Sequence, residues 1–404
     1  MNKETKYNFT IFVLFLVIIW APAQAFVAFD GAYRIPFILS IVAVLMNGSE
    51  IKALCFRKPI AFYLLLAPYM FISGLIHGSQ SIYSTGGMGI YLMAFSIFQP
   101  LLVMLLVICL SSYRFDKTLK YITIAILAYC ILGFASGKMT DYGDDGERFE
   151  CLINSNEVAL MIAIGFFCVL LLYVRKQITL SCSLFIAVLL VIAVISTASR
   201  MGFVMIGIVS VLSIIMLGKQ RRFRSLYVSL LLLLSFFFFL YFVMENTFVG
   251  ERLMTTTRQA EFMEMATGTF WDKFGDRGLQ YYYGWPFIIE HPLFGIGFHQ
   301  WINVGPLGLV CHSEYLVQSL ENGLVGSVLY VSFFVGLIRR ILLKLNVSDM
   351  QESRTNKVFL CIFLSVVFAN SVLWTYTSTG VFAIYGMLYV QTANHYSSKI
   401  TKFY

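Results

Sequence analysis

Apolar runs of the length that crosses a bilayer follow one another along almost the whole chain. They fall at roughly 9–28, 35–49, 60–77, 88–111, 119–136, 157–174, 179–198, 202–218, 226–244, 313–337, 358–375 and 378–394. A helix needs about 20 apolar residues to span the hydrocarbon core, so the succession predicts an all-α polytopic membrane protein with about 12 transmembrane helices. The second run is short. The runs are continuous rather than alternating, which argues against a transmembrane β-barrel. Composition agrees: 59% of the 404 residues are hydrophobic and 12% charged.

The loops assign the two sides. With a cytoplasmic N-terminus, 21 of the 29 basic residues and five of the 21 acidic ones fall on the cytoplasmic side, leaving +16 inside and −8 outside. Positive charge retained inside at every connection is the expected topology signal. The overall charge of +8 therefore reports topology and gives no reason to expect nucleic acid. Both termini fall inside. The A-x-A-like "IIWAPAQAF" after a short apolar run is the pattern of a cleaved signal peptide, but removing it would upset the loop parity.

Three regions follow. Residues 1–244 hold nine runs joined mostly by short loops, 245–312 form one large outer loop, and 313–404 hold three more runs. A loop that long in a compact membrane protein is usually functional. In it, "GERLMTTTRQAEFMEMATG" and "RGLQYYYGWPFIIEH" predict helices, and the Pro/Gly-rich "HPLFGIGFHQW" an irregular turn. Cys109, Cys130, Cys168, Cys182 and Cys361 fall inside helices as apolar filler. Cys151 and Cys311 both fall outside, with a disulfide between them left open. No Cys/His spacing suggests a metal site, and the acidic "DYGDDGE" reads as a solvated loop.

The apolar runs carry almost no ionisable residue near their centres, which lowers a transporter or flippase reading. Ionisable residues gather instead at the outer mouth: His77, Glu157, Arg200, Arg277, His312, Glu314 and Glu321. Arg200, in "STASRMGF", is either an interface anchor or an anion ligand, since guanidinium suits phosphate oxygens. Arg277 precedes an aromatic stretch, containing Tyr282 and Trp285, that suits lipid or sugar rings. In "CHSEYLVQSLENGLVG", Glu314, Gln318 and Glu321 recur at helical spacing on one face just after His312. They form either a polar helix end at the water interface or the wall of a polar cavity.

"RGLQYYYGWPFIIEHPLFGIG" followed by "HSEYLVQSLENGLVG" resembles the signature of the O-antigen ligase/polymerase superfamily. "SRMG" is similar to its "SRG" turn, and "GERFECLINSNEVAL" to its Arg…Asn-x-Asn segment. The resemblance covers roughly residues 145–330. It departs at Met201, where Gly is common, and at Ser313, where ligases tend to carry Asn; the second difference tilts toward polymerase. The resemblance implies a GT-C-like, metal-independent glycosyltransferase without cofactor, acting at the periplasmic face of the bacterial inner membrane on glycans carried by undecaprenyl diphosphate. It implies a chain-length regulator and a flippase of the same pathway as partners. His312, Arg277, Arg200, Glu314 and Glu321 become catalytic candidates. Arg148, Asn156, Arg258, Tyr282, Trp285 and Tyr315 become substrate-binding candidates. A polymerase (Wzy-type) is the first expectation, a WaaL-type ligase the second and a lipid-linked glycan exporter the third.

Overall fold

The computed structural model describes residues 2–23, 34–55, 59–79, 89–136, 138–141, 147–150, 155–197, 199–218, 268–271, 275–308, 311–347, 349–371, 373, 375 and 378–393. Within them the chain is helical apart from one hairpin. The elements are α1 (Lys3–Ala23), α2 (Arg34–Met46), α3 (Gly48–Cys55), α4 (Ile60–Ile76), α5 (Gly89–Ser136), β1 (Lys138–Asp141), β2 (Glu147–Glu150), α6 (Ser155–Val174), α7 (Leu180–Ser196) and α8 (Arg200–Gly218). They continue with α9 (Gly275–Glu290), α10 (Trp301–Val304), α11 (Glu314–Glu321), α12 (Gly323–Leu343), α13 (Met350–Ala369) and α14 (Thr379–Thr392). The apolar run 226–244 and the helix expected over "GERLMTTTRQAEFMEMATG" lie outside the described residues, save the last Gly268.

Among the described residues three helices are long and apolar enough to cross a bilayer: Gly89–Gly133, Asn156–Val174 and Gly323–Leu343. Shorter apolar helices cover Arg34–Met46, Ile60–Ile76, Leu180–Ser196 and Met201–Leu217. Their outward faces are greasy: Leu184, Phe185, Val188 and Ile192 on α7, and Leu324, Val328, Val331 and Val335 on α12, are all exposed. In water such stripes would be a liability; against lipid they are the expected surface. The set agrees with a polytopic membrane protein.

Two runs expected as separate helices share one path, α5. It is interrupted at a single residue, Arg114 (φ −144°, ψ 79°). Ile126 beyond the corner packs against Gly165 in the middle of α6; just past the far end of α6 lies Arg175, paired with Asp116 just after the corner. The chain therefore doubles back at Arg114. The corner is held by the N-terminus: the Arg114 guanidinium donates to both Glu4 carboxylate oxygens at 3.0 and 2.8 Å and lies over Tyr7 and Tyr113.

Loops of one parity meet at one end of the bundle. Glu4 with Arg114, Asp116 with Arg175, and Arg175 with Gln351 and Gln391 gather there. At the opposite end Gln300 meets His77 and Ser79, Ser199 meets Asn156, and Glu314 meets Thr375. Between them lies a core of interlocking rings, including Tyr63, Phe333, Phe334, Phe382 and Tyr385.

The single run expected over 313–337 is two helices. Asn322 closes α11, and Gly323 takes φ +60°, a backbone region that disfavours side chains. Helix ends leave backbone groups without partners. Here the loop after α9 supplies them. Ile296 and Gly297 donate to the Leu320 and Glu321 carbonyls at 2.9 and 3.0 Å; Leu324 and Val325 donate to the Pro292 and Leu293 carbonyls at 2.8 and 3.2 Å. The irregular "HPLFGIG" stretch thus completes a broken helix. Gly295 and Gly297 also have positive φ, and a Cβ on either would strike Glu321 or His77.

Candidate functional site

The site is built where α9, α11 and the outer loops converge. α9 is the helix expected from "RGLQYYYGWPFIIEH", and it carries Arg277 in its first turn. One turn on, buried Gln280 receives the His312 backbone N–H on its Oε1 at 3.1 Å. Next to it the Tyr281 hydroxyl lies 2.5 Å from Ser313 Oγ. The Tyr281 ring stacks on Trp271, with centroids 5.5 Å apart and planes 11° apart. Helical spacing sets Arg277, Gln280 and Tyr281 on one face, so Arg277 shares the face that carries His312. His312 itself is half-buried, just ahead of α11. Ser313 is the N-cap of that helix, its Oγ accepting from Leu316 N. A serine in that role fixes the helix start and hence the place of its neighbour His312.

The polar face of α11 turns inward, onto protein. Glu314, Gln318 and Asn322 are buried and linked side chain to side chain: Gln318 Nε2 donates to Glu314 Oε1 at 3.0 Å, and Asn322 Nδ2 to Gln318 Oε1 at 3.1 Å. The second Glu314 oxygen accepts from Thr375 N at 3.1 Å, while Glu314 N donates to the Asn370 carbonyl at 2.8 Å. Glu321 accepts from His299 N at 2.7 Å and Trp301 N at 3.4 Å. Each carboxylate clasps a loop. Burial pushes the Glu321 carboxyl, which precedes the α12 span, up to about 8. Burial likewise holds the His299 imidazole down, to about 4, so it is a poor base at neutral pH. His299 also takes φ +60°, rare for a non-glycine residue.

A second outer cluster joins α6 to α8. Ser199 Oγ donates to Asn156 Oδ1 at 2.9 Å, and Arg200 is the first residue of α8. α13 packs along both α6 and α8. Its outer end carries Asn370, bonded to Glu314, so α13 connects the Asn156–Arg200 corner with the α11 corner. Arg148 lies on β2, paired across the hairpin with Thr140. Tyr282 and Trp285 are exposed on the outer face of α9. Tyr315 donates to the Val367 carbonyl at 2.7 Å. Arg258 lies outside the described residues. His77 Nδ1 lies 2.8 Å from the Ser73 carbonyl and its ring packs on Gly297, a structural position. Cys311 is a buried free thiol.

Several members carry little sequence signal. Gln280 and Trp271 are uncharged and distant from His312 in sequence. Thr375 meets Glu314 through its backbone N–H, and its hydroxyl donates to Asn370 Oδ1 at 2.7 Å. Ser313 as a helix cap was missed, although Ser followed by Glu ahead of an apolar run is a helix-start pattern that could have found it. Among the described residues no group of three His, Cys, Asp or Glu could hold a metal ion.

Residues 185–331 match the family model of the O-antigen ligase domain. The match takes in α7, α8, the long outer loop, α11 and the start of α12, the segment that holds both "SRMG" and the His312 corner. It supports the O-antigen polymerase and ligase superfamily, and with it a polysaccharide-related membrane enzyme. No curated protein matches the chain.

Proposed function

We propose that this protein is a surface-polysaccharide polymerase, which joins oligosaccharide repeat units carried on undecaprenyl diphosphate at the periplasmic face of the inner membrane. The observation that carries the reading is one corner within the matched segment: His312 and Ser313, fixed by Gln280 and Tyr281, one turn from Arg277 on α9. Diphosphate leaves readily, so no general acid is required. As the bond from the anomeric carbon to the diphosphate oxygen breaks, negative charge grows on the phosphate oxygens. Arg277 and Arg200 are the groups suited to hold it. The acceptor hydroxyl oxygen forms the new glycosidic bond and gives up its proton, which His312 takes as base or steers as hydrogen-bond partner. The exposed Tyr282 and Trp285 offer flat apolar faces to sugar rings or lipid.

The second reading, a ligase moving finished polysaccharide onto lipid A core, is favoured by the description of the matching family, O-antigen ligase. Ser313, in place of the Asn that ligases tend to carry, favours the polymerase. The glycan profile of a deletion strain separates them. Core capped with a single repeat unit supports the polymerase. Loss of all capped core overturns it in favour of the ligase.

A further inference from the structure

At the end of the bundle away from His312 lies a cavity of about 260 Å³, walled by α1, the α2–α3 junction and α5 before its corner. A water molecule takes about 30 Å³ of liquid, so there is room for a larger group. Its mouth carries Lys3 and Lys6 from α1, facing Glu50 from α3. The other nearby acid, Glu4, has both oxygens on Arg114. The lining is therefore net positive, and Lys117, whose ammonium lies over the Tyr7 ring at 5.1 Å, adds to the field. Deeper in, Leu110 and Cys109 form an apolar wall beside the buried pair Asn47 and Thr10, whose polar groups are bonded to each other at 2.9 Å. On the positive-inside reading this end faces the cytoplasm, so the mouth lies at the depth of inner-leaflet headgroups.

We propose that this cavity binds the phosphate of an anionic glycerophospholipid from the cytoplasmic leaflet, held by Lys3 and Lys6 with the lipid's apolar part against Leu110. Two cations and one anion at the mouth favour a phosphodiester that carries net charge over a zwitterionic headgroup. The apolar wall of Leu110 and Cys109 favours a lipid over a soluble phosphate. Basic pockets between helices at this depth have the right chemistry for the task. The site is independent of the glycosyltransferase reading.

The test is native mass spectrometry of the full-length protein with phosphatidylglycerol or phosphatidylcholine of identical acyl chains. The wild type should retain phosphatidylglycerol at collision energies that strip phosphatidylcholine. The retained fraction should fall about 30-fold in the Lys3→Gln, Lys6→Gln double variant, the loss expected for two cationic contacts to lipid phosphate, while its lipid-free melting temperature stays that of the wild type. Equal retention of both lipids by the wild type overturns the site, as does equal phosphatidylglycerol retention by wild type and variant. Displacement of the lipid by equimolar glycerol phosphate overturns the lipid assignment in favour of a soluble phosphate ligand. Should the double variant fail to fold, Glu50→Gln decides: it should raise phosphatidylglycerol retention, and no change would sink the proposal.

Discussion

Gln280 and His312 form one unit, because the backbone N–H of the histidine ends on the glutamine side chain. Replacing His312 by Ala should leave that backbone bond and the Ser313 cap in place. Loss of a base or proton partner then costs about 10²–10⁴ in rate. Long chains should vanish from cells, while the purified variant still folds and binds lipid-linked donor; wild-type chain lengths would remove His312 from the chemistry. For Arg277 and Arg200, Lys should be nearly as damaging as Ala, because a point charge does not reproduce a two-pronged contact with phosphate. Full polymer from both Lys variants at normal expression would make them interface anchors. His312 was legible from its place, a polar group directly ahead of an apolar run. Gln280 was not, because an uncharged residue 32 positions away announces nothing locally. The inward-facing Glu314 and Glu321 were visible as a polar stripe, but their partners, the backbone of His299, Trp301 and Thr375, come from turns and the start of the one-turn α10, which no period marks.

The elements around the site depend on a helix broken at one glycine. Gly323 has φ +60°, and a Cβ there would lie 2.5 Å from Gly295 N, while Gly308 has φ +59° with nothing near it. Gly308→Ala should cost on the order of 1 kcal/mol from backbone strain alone. Gly323→Ala should cost several times more, by driving the 292–297 loop off the break, and the difference reads out as melting temperature in detergent. Glu321 predicts a pH effect in the same loop. Its carboxyl is raised from 4.5 to about 8 by burial. Between those values the unfolded chain has released the proton and the folded chain has kept it, so stability is fully present below the lower value and is lost as pH rises through the upper one. The melting temperature should therefore fall from pH 6 to 9 in the wild type and fall less steeply in Glu321→Gln. Equal slopes would show that Glu321 does not titrate there. The α9 helix and the irregular turn were legible from composition. The division of 313–337 was not, since hydropathy runs on across Asn322 and Gly323.

For the whole molecule the apolar runs and loop charges carried most of the information: lipid-facing stripes and two opposed polar ends are what those patterns imply. Reporter tags at Lys219–Arg224 and Arg339–Lys344 should signal cytoplasm, and one near Thr256 periplasm; a cytoplasmic signal at Thr256 would place the His312 corner on the wrong side. The corner of α5 was hidden, because "SSYRFDK" reads as an ordinary loop and gives no hint that the chain reverses at one residue. That corner has a consequence for how the protein is made. Glu4 is translated more than 100 residues before the arginine it grips. The bonds that hold the corner can therefore form only after α5 has emerged and turned. An affinity handle fused ahead of Lys3 would crowd that late handshake.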